Sequence, residues 1–307
     1  MAELLTLLRE AAGEDCIFTE EPMKNHTTFR IGGPADLFAA PVTEKAAAEI
    51  VRICREQEFP FYVIGNGSNL LVSDAGYRGL ALQLYRNLSK ISVDGEIVTA
   101  QAGAMLSVIA KRALEAGLTG FEFASGIPGT IGGAAVMNAG AYGGEMKDVL
   151  TEVTVLTREN EIRVIPVESL ELGYRHSAVQ ENDWIVLGAK LKLRVGDPAK
   201  IRERMEELKA QRVEKQPLEF PSAGSTFKRP EGYFAGKLIM DAGLRGFSVG
   251  GAQVSEKHCG FVVNRGNATA QDVRRLMDEV SRRVKVQFGV TLEPEVRMLG
   301  DFGAMHE

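Results

Sequence analysis

The sequence predicts an α+β protein with mixed and antiparallel sheet. Three observations carry that prediction. Stretches with the apolar period of amphipathic helices are interleaved with short runs of alternating or continuous apolar residues. Several of the turns between those runs carry hairpin chemistry, Asp94-Gly95 being the clearest. Finally, Gly196-Asp197-Pro198 breaks the pattern as a domain boundary would. A chain of 307 residues suggests two domains or three, and it is long enough to bury a core without metals or disulfides.

The elements follow in order. Residues 43–57 read as a helix, with Ala47, Ile50, Val51 and Cys54 on one face. Phe61 to Ile64 is a short apolar run, Gly65-Asn66-Gly67-Ser68-Asn69 is a tight loop, and Leu70-Leu71-Val72 is a second run. That is strand, loop, strand. Residues 91–100 read as a hairpin with a type I′ turn at Asp94-Gly95. Residues 106–116 form a helix ended by Gly117. A glycine-dense stretch, 125–145, comes next, and 152–165 is a hairpin turning near Glu159-Asn160. In 184–195 the residues Ala189, Leu191, Leu193 and Val195 alternate with Lys190, Lys192 and Arg194, as in a half-buried strand. After the break at 196–198 come a charged helix (199–213), strands near 259–264 and 290–299, and a helix at 270–286. That last helix opens on Thr269 and Asp272, the spacing of a capping box, and buries Val273, Leu276, Met277, Val280 and Val284.

Composition narrows the function classes. Acidic residues number 41 and basic residues 36, which argues against a dedicated nucleic-acid binder and leaves room for a local basic pocket. Cys16, Cys54 and Cys259 form no C-x-x-C pair, so they read as reduced, buried thiols of a cytoplasmic protein. His26, His176, His258 and His306 lack metal-ligand spacing, and no metal is expected. The N-terminal MAELLTLLREAAGED has no basic region before its apolar residues and reads as neither signal peptide nor anchor. No apolar run approaches the ~20 residues of a membrane span.

Two segments have the chemistry of a phosphate cradle. Gly65-Asn66-Gly67-Ser68-Asn69 offers close backbone approach and the N–H groups of an anion nest. It is not a Rossmann fingerprint, because the sixth position is Leu70 and no amphipathic helix follows. Residues 125–144 hold seven glycines among twenty. Two such loops in one domain suit a dinucleotide, although close backbone packing at a sheet edge would also use glycine. A third group is scattered: Gly173-Tyr174-Arg175, Gly224-Ser225-Thr226-Phe227-Lys228, and Glu293-Pro294-Glu295-Val296-Arg297. On an alternating strand Glu293, Glu295 and Arg297 share one face, with Leu292, Val296 and Met298 on the other. Taken singly, such residues are usually structural or solvated.

Read together, TTFRIGGPAD (27–36), IGNGSNLLVSD (64–74), SGIPGTIGGAAVMNAGAYGGE (125–145), LGYRHS (172–177), AGSTFKRP (223–230), AGKLIMDAGLRG (235–246) and LEPEVR (292–297) resemble the ordered motif set of the MurB family, the UDP-N-acetylenolpyruvoylglucosamine reductases. The resemblance implies a two-lobed FAD-binding part of the vanillyl-alcohol-oxidase or p-cresol-methylhydroxylase type, over 1–80 and 81–196, and a substrate domain over 197–307. It implies non-covalent FAD, NADPH as co-substrate, a UDP-sugar enolpyruvyl ether as substrate, and a monomer. The cofactor residues it marks are Arg30, Ile64, Gly65, Asn66, Gly67, Ser68, Asn69, Gly126, Thr130, Gly132 and Gly133. The catalytic trio it marks is Arg175, Ser225 and Glu295, with Ser225 as proton donor and Lys228 as a helper to that serine. Asn138, Tyr142, Tyr174, Lys237 and Arg297 are the expected substrate contacts. Two departures stand out. Arg229 occupies the position of Asn in G-S-x-F-K-N-P, and the tyrosine loop that clamps uridine in one branch is missing, so the chain resembles the shorter branch. On the loops alone, another FAD oxidoreductase of this fold acting on a sugar lactone or alcohol, or a non-catalytic nucleotide binder, stays open.

Overall fold

The computed structural model describes residues 1–303; His306 lies outside the described residues. The chain forms two units. Unit 1 comprises Met1–Phe18, Leu37–Asn66 and Leu80–Arg212, and unit 2 comprises Thr19–Asp36, Gly67–Gly79 and Val213–Glu307. Unit 1 draws on all three segments expected from the sequence, and unit 2 on the first and third. Each unit has its own buried core. Among the described residues no helix is long and apolar enough to cross a membrane.

Unit 1 is built on a five-stranded antiparallel sheet, in the order Ile162–Pro166, Leu150–Leu156, Ile185–Lys192, Ile97–Gln101, Ile91–Asp94. Phe61–Ile64 pairs in parallel with residues 80–83, Phe61 opposite Leu80 and Ile64 opposite Gln83. The helix Glu44–Glu56 starts where Thr43 accepts a hydrogen bond from the Ala46 N–H at 3.1 Å. It buries Ile53 as well as the expected stripe. Burial pushes the Cys54 thiol up to about 12, which makes it inert as a nucleophile. The hairpin 91–101 is as expected in register, Asp94 opposite Ile97. Its turn is not type I′: of the two central residues only Gly95 has positive φ, at 55°, which is the type II′ pattern. The strand over 185–192 buries Ala189 and Leu191 and exposes Lys190 and Lys192, as alternation requires. Val195 breaks that expectation at 77% exposure, because the strand ends at Lys192 and Arg194–Val195 pairs separately with Leu118–Thr119. The helix Pro198–Lys215 buries Ile201 and Leu208.

Unit 2 holds a four-stranded antiparallel sheet, Ser222–Ser225, Phe261–Asn264, Ala252–Val254, Ser248–Val249. The helix Ala270–Phe288 carries the expected capping box, and its five predicted apolar residues are all buried. The expected strand at 290–299 is shorter. Only Arg297–Leu299 is strand, parallel to Leu70–Val72, while Pro294 makes a single bridge to Phe227. Proline has no N–H to continue a ladder, so the alternation there is broken, and Met298 is exposed.

Candidate active site

In unit 1 the two glycine-dense segments meet. Asn66 Nδ2 donates to the Pro128 carbonyl at 2.7 Å. A Cβ on Gly65 would lie 2.4 Å from Thr130 Oγ1, so only glycine allows this approach. Gln83 Nε2 donates to the Gly65 carbonyl at 3.2 Å, and the buried Ile64 anchors the loop at its strand. On its other side the 125–133 segment is fastened to 102–106. The Ile131 N–H donates to Ala104, the Gly132 N–H to Ala102, and the Leu106 N–H to Gly129. A Cβ on Gly132 would meet the Ala102 Cβ at 2.9 Å.

Gly133 behaves differently. It is exposed, and a Cβ there would find Thr130 Oγ1 at 3.7 Å and nothing nearer. Some of these glycines are thus held by close protein packing, and one, Gly133, has room for a Cβ. That combination fits a cradle for a nucleotide cofactor, where backbone must come close to a ligand. Gly126 lies under a side chain that no motif marks: a Cβ there would be 3.0 Å from Arg212 Cδ.

Beyond this segment, Asn138 caps the helix Ile131–Met137 with φ 42°. Its carboxamide is buried and committed within the protein. Nδ2 donates to Glu145 Oε2 at 2.6 Å and to the Gly173 carbonyl at 3.1 Å, and Oδ1 accepts from the Lys147 N–H at 2.9 Å. Asn138 therefore ties the 138–147 turn to the turn that carries Arg175. Tyr142 sits in the first of these turns with φ 53° and is exposed.

Arg175 occupies the tip of a tight turn. Gly173 and His176 exchange backbone hydrogen bonds, 3.1 Å and 3.3 Å. Arg175 has φ 56°, a costly region for a residue with a Cβ. Ser177 Oγ and Gln180 Nε2 both donate to the Val136 carbonyl, at 2.7 Å and 3.0 Å, and hold the turn against the helix end. The guanidinium carbon lies 5.2 Å from the centre of the exposed Tyr174 ring.

In unit 2 the structure brings Ser225 and Glu295 onto neighbouring chain segments. Ser225 is exposed at the end of its strand and stands opposite Phe261. Gly224 before it has φ 76°, within a register shift of the ladder. The Glu295 N–H donates to the Thr226 carbonyl at 2.8 Å, and the Lys228 N–H to the Glu293 carbonyl at 2.8 Å. The 293–295 stretch is thus zipped to the strand that follows Ser225. Lys228 Nζ pairs with Glu293 Oε2 at 3.1 Å, both side chains being exposed.

The second half of the 65–69 loop serves this region. Asn69 Nδ2 donates to the Glu295 carbonyl at 3.1 Å, and the Arg297 N–H donates to the Asn69 carbonyl at 3.0 Å. Ser68, half-buried, lies between Asn69 and Gly67. Gly67, with φ 60°, packs against His26, where a Cβ would fall 2.1 Å from its carbonyl oxygen. Arg30 is exposed with φ 55°, in a segment held by Thr28 Oγ1 to Ser222 O at 2.6 Å and by Asn264 Nδ2 to Phe29 O at 3.2 Å. Lys237 is an exposed helix lysine, with Nζ 2.7 Å from Asp241 Oδ1. Such a pair contributes at most ~1 kcal/mol, so a ligand anion would displace it easily.

Sequence spacing missed two features. One is Arg212. The other is a group of ligand-type atoms on Glu171, His176 and Glu181, all within 4.8 Å of one another around the Arg175 turn. Two of these three residues are exposed, and nothing else among the described residues points to an ion there.

Residues 216–299 match the model of the UDP-N-acetylenolpyruvoylglucosamine reductase C-terminal domain, and residues 35–165 match an FAD binding domain. The UDP-N-acetylenolpyruvoylglucosamine reductase of Agathobacter rectalis is 56% identical over 298 residues, covering 93% of this chain and 95% of that protein. Its counterpart in Caldanaerobacter subterraneus subsp. tengcongensis is 52% identical, covering 98% and 100%. The crystal structure of UDP-N-acetylenolpyruvylglucosamine reductase from Thermus caldophilus superposes with TM-score 0.79 at 36% identity, over 92% of this chain and 98% of that one. A glucose dehydrogenase, Phl p 4.0202, shares the fold alone, with TM-score 0.52 at 13% identity over 64% of this chain and 44% of that one. On the full-length identities, with both halves matched and the expected α+β class met, this chain belongs to the UDP-N-acetylenolpyruvoylglucosamine reductase family.

Proposed function

We propose that this chain catalyses NADPH-dependent reduction of UDP-N-acetylglucosamine enolpyruvate to UDP-N-acetylmuramate in peptidoglycan synthesis, with non-covalent FAD. The observation that carries the reading is the junction of Gly65 and Asn66 with Pro128 and Thr130. It makes a glycine cradle in a chain whose full-length relatives bear this reductase's name. FAD, when bound, supplies the carrier that takes hydride from NADPH and gives it to the β-carbon of the enolpyruvyl group.

The residues of the chain then have distinct tasks. As hydride arrives, negative charge builds on the enolpyruvyl carboxylate. Arg175 stabilises that charge; removing one such group costs ~3–4 kcal/mol of barrier lowering in comparable sites. Glu295, as an acid, stabilises the same intermediate. Ser225 delivers a proton to the α-carbon, which a serine can do only toward a strongly basic carbon. Asn138 acts by positioning, since its amide holds the turn of Arg175. Tyr142 and Tyr174 face the sugar, and Arg297 and Lys237 take its anionic groups, the first by a fork of N–H donors and the second as a point charge. Arg30, Ser68 and Asn69 complete the cofactor's surroundings. The enzyme works as a monomer in the cytoplasm, a setting that suits the unpaired thiols of Cys16, Cys54 and Cys259.

Turnover with NADPH in heavy water tests the reading. The product, identified by mass spectrometry as UDP-N-acetylmuramate, is expected to carry one deuteron at the α-carbon from the proton-delivery step. A second is expected at the β-carbon to the extent that the hydrogen carried on the flavin nitrogen exchanges with solvent before transfer. Oxidation of a sugar lactone or alcohol, with no reduction of the enolpyruvyl ether, would transfer the assignment to the alternative oxidoreductase.

A further inference from the structure

The helix Pro198–Lys215 carries an arginine whose chemistry the reading above does not use. Several charged side chains on the protein's helices have partners on the same helix. Arg204 pairs with Glu207, Arg274 with Asp278, and Arg52 with Glu49 and Glu56. Arg212 differs. The residues three and four positions away are Leu208, Lys209, Lys215 and Gln216, so its own helix offers no carboxylate. Among the described residues no salt bridge and no hydrogen-bond acceptor engages its guanidinium.

Its position is equally specific. The side chain lies across Gly126, where a Cβ would fall 3.0 Å from Cδ and 3.7 Å from both Nε and Nη1. Gly126 opens the 125–133 segment, inside the stretch that matches an FAD binding domain. Arg212 is half-buried there. Burial pushes it below the usual guanidinium value, opposed only by the nearby Tyr142 phenol. A cation drawn partly out of water without an anion is unfavourable, and a bound anion removes that cost.

We propose that Arg212 is an anion-binding residue of unit 1, holding a phosphate or diphosphate group of a nucleotide ligand against the Gly126 end of the glycine-dense segment. Guanidinium suits this task because its planar N–H fork matches phosphate oxygens two at a time. The proposal rests on the reading of the chain as an FAD reductase of a UDP-sugar. That reading supplies three carriers of this chemistry: FAD, NADPH and the UDP-sugar.

Arg212→Gln and Arg212→Lys, purified as holoenzymes, separate the three. The readouts are flavin per chain and FAD affinity after removal and re-addition of the cofactor, UDP-sugar affinity from perturbation of the flavin spectrum, and the NADPH dependence of anaerobic flavin reduction. Loss of one charge-assisted contact predicts weakening of about 10–100-fold in one of these affinities for Arg212→Gln, with partial recovery in Arg212→Lys. A fall confined to FAD assigns the group to the cofactor, and a fall confined to the UDP-sugar or NADPH assigns it to that ligand; each supports the proposal. All three affinities within about twofold of the wild type would overturn it. So would an equal fall in all three together with a lowered melting temperature, since that marks a structural arginine. A wild-type chain that takes up no FAD would instead overturn the underlying reading.

Discussion

Unit 1 presents its candidate groups on turns, and unit 2 presents them on zipped strands. Arg175, Tyr142 and Asn138 all have positive φ and are held by side chains such as Ser177, Gln180 and Asn138 itself. Ser225 and Glu295 lie on extended segments joined by backbone hydrogen bonds at Thr226 and Lys228. The difference concerns where function and stability overlap. In unit 1 the residues that shape the site also hold it together. In unit 2 the backbone holds the segments, and the side chains are left for chemistry.

The contrast predicts opposite mutational signatures. Ser225→Ala carries the largest expected effect. The half-reaction with the enolpyruvyl substrate falls about 10²–10⁴-fold, while NADPH reduction of the flavin and the melting temperature stay unchanged. Stopped-flow absorbance of each half-reaction reads this, and an equal loss in both would make the serine structural. Asn138→Ala works the other way. It strips a buried carbonyl, a carboxylate and an N–H of their partner, at about 2–3 kcal/mol, seen as a lowered midpoint in denaturant. An unchanged midpoint would break the comparison.

Two neighbouring glycines sharpen it further. Gly132→Ala drives a methyl into Ala102 and is expected to cost about 1–3 kcal/mol of stability. Gly133→Ala has room, so it leaves stability intact and weakens flavin retention instead, measured as flavin absorbance per chain. The smallest effect belongs to the surface of unit 2. The hydrogen bonds from Arg282 and Arg283 hold Glu279 down to about 2, from an ordinary value of 4.5. Its folded value is depressed, so its contribution is present above pH 4.5 and fades as pH falls toward 2. Glu279 and Arg283 are half-buried and Arg282 is exposed, so solvent still screens the cluster; Glu279→Gln is expected to cost under ~1 kcal/mol at neutral pH and to flatten acid unfolding in that window.

Much of this was legible in the sequence wherever a period or a turn signal repeats. The helices Glu44–Glu56 and Ala270–Phe288 declare themselves through apolar stripes and a capping threonine, and both are found. The 293–299 stretch misled because Pro294 removes a donor that alternation alone does not reveal, and Val195 because a strand can end before its pattern does, here at Lys192. At the site, glycine density marked the cradle. It did not reveal which glycines are packed tightly against protein and which have room for a side chain, since that depends on Thr130 and Ala102. The union of Asn69 with Glu295 spans 226 positions and leaves no local trace. Arg212 was invisible for the same reason: it meets Gly126 only in the folded chain.

An anaerobic titration followed at the flavin's visible band tests the central claim most directly. Adding NADPH to the purified yellow protein is expected to bleach it, and adding UDP-N-acetylglucosamine enolpyruvate in one equivalent is expected to restore the colour. Bleaching without restoration would leave an FAD protein of this fold and contradict the assignment of the substrate.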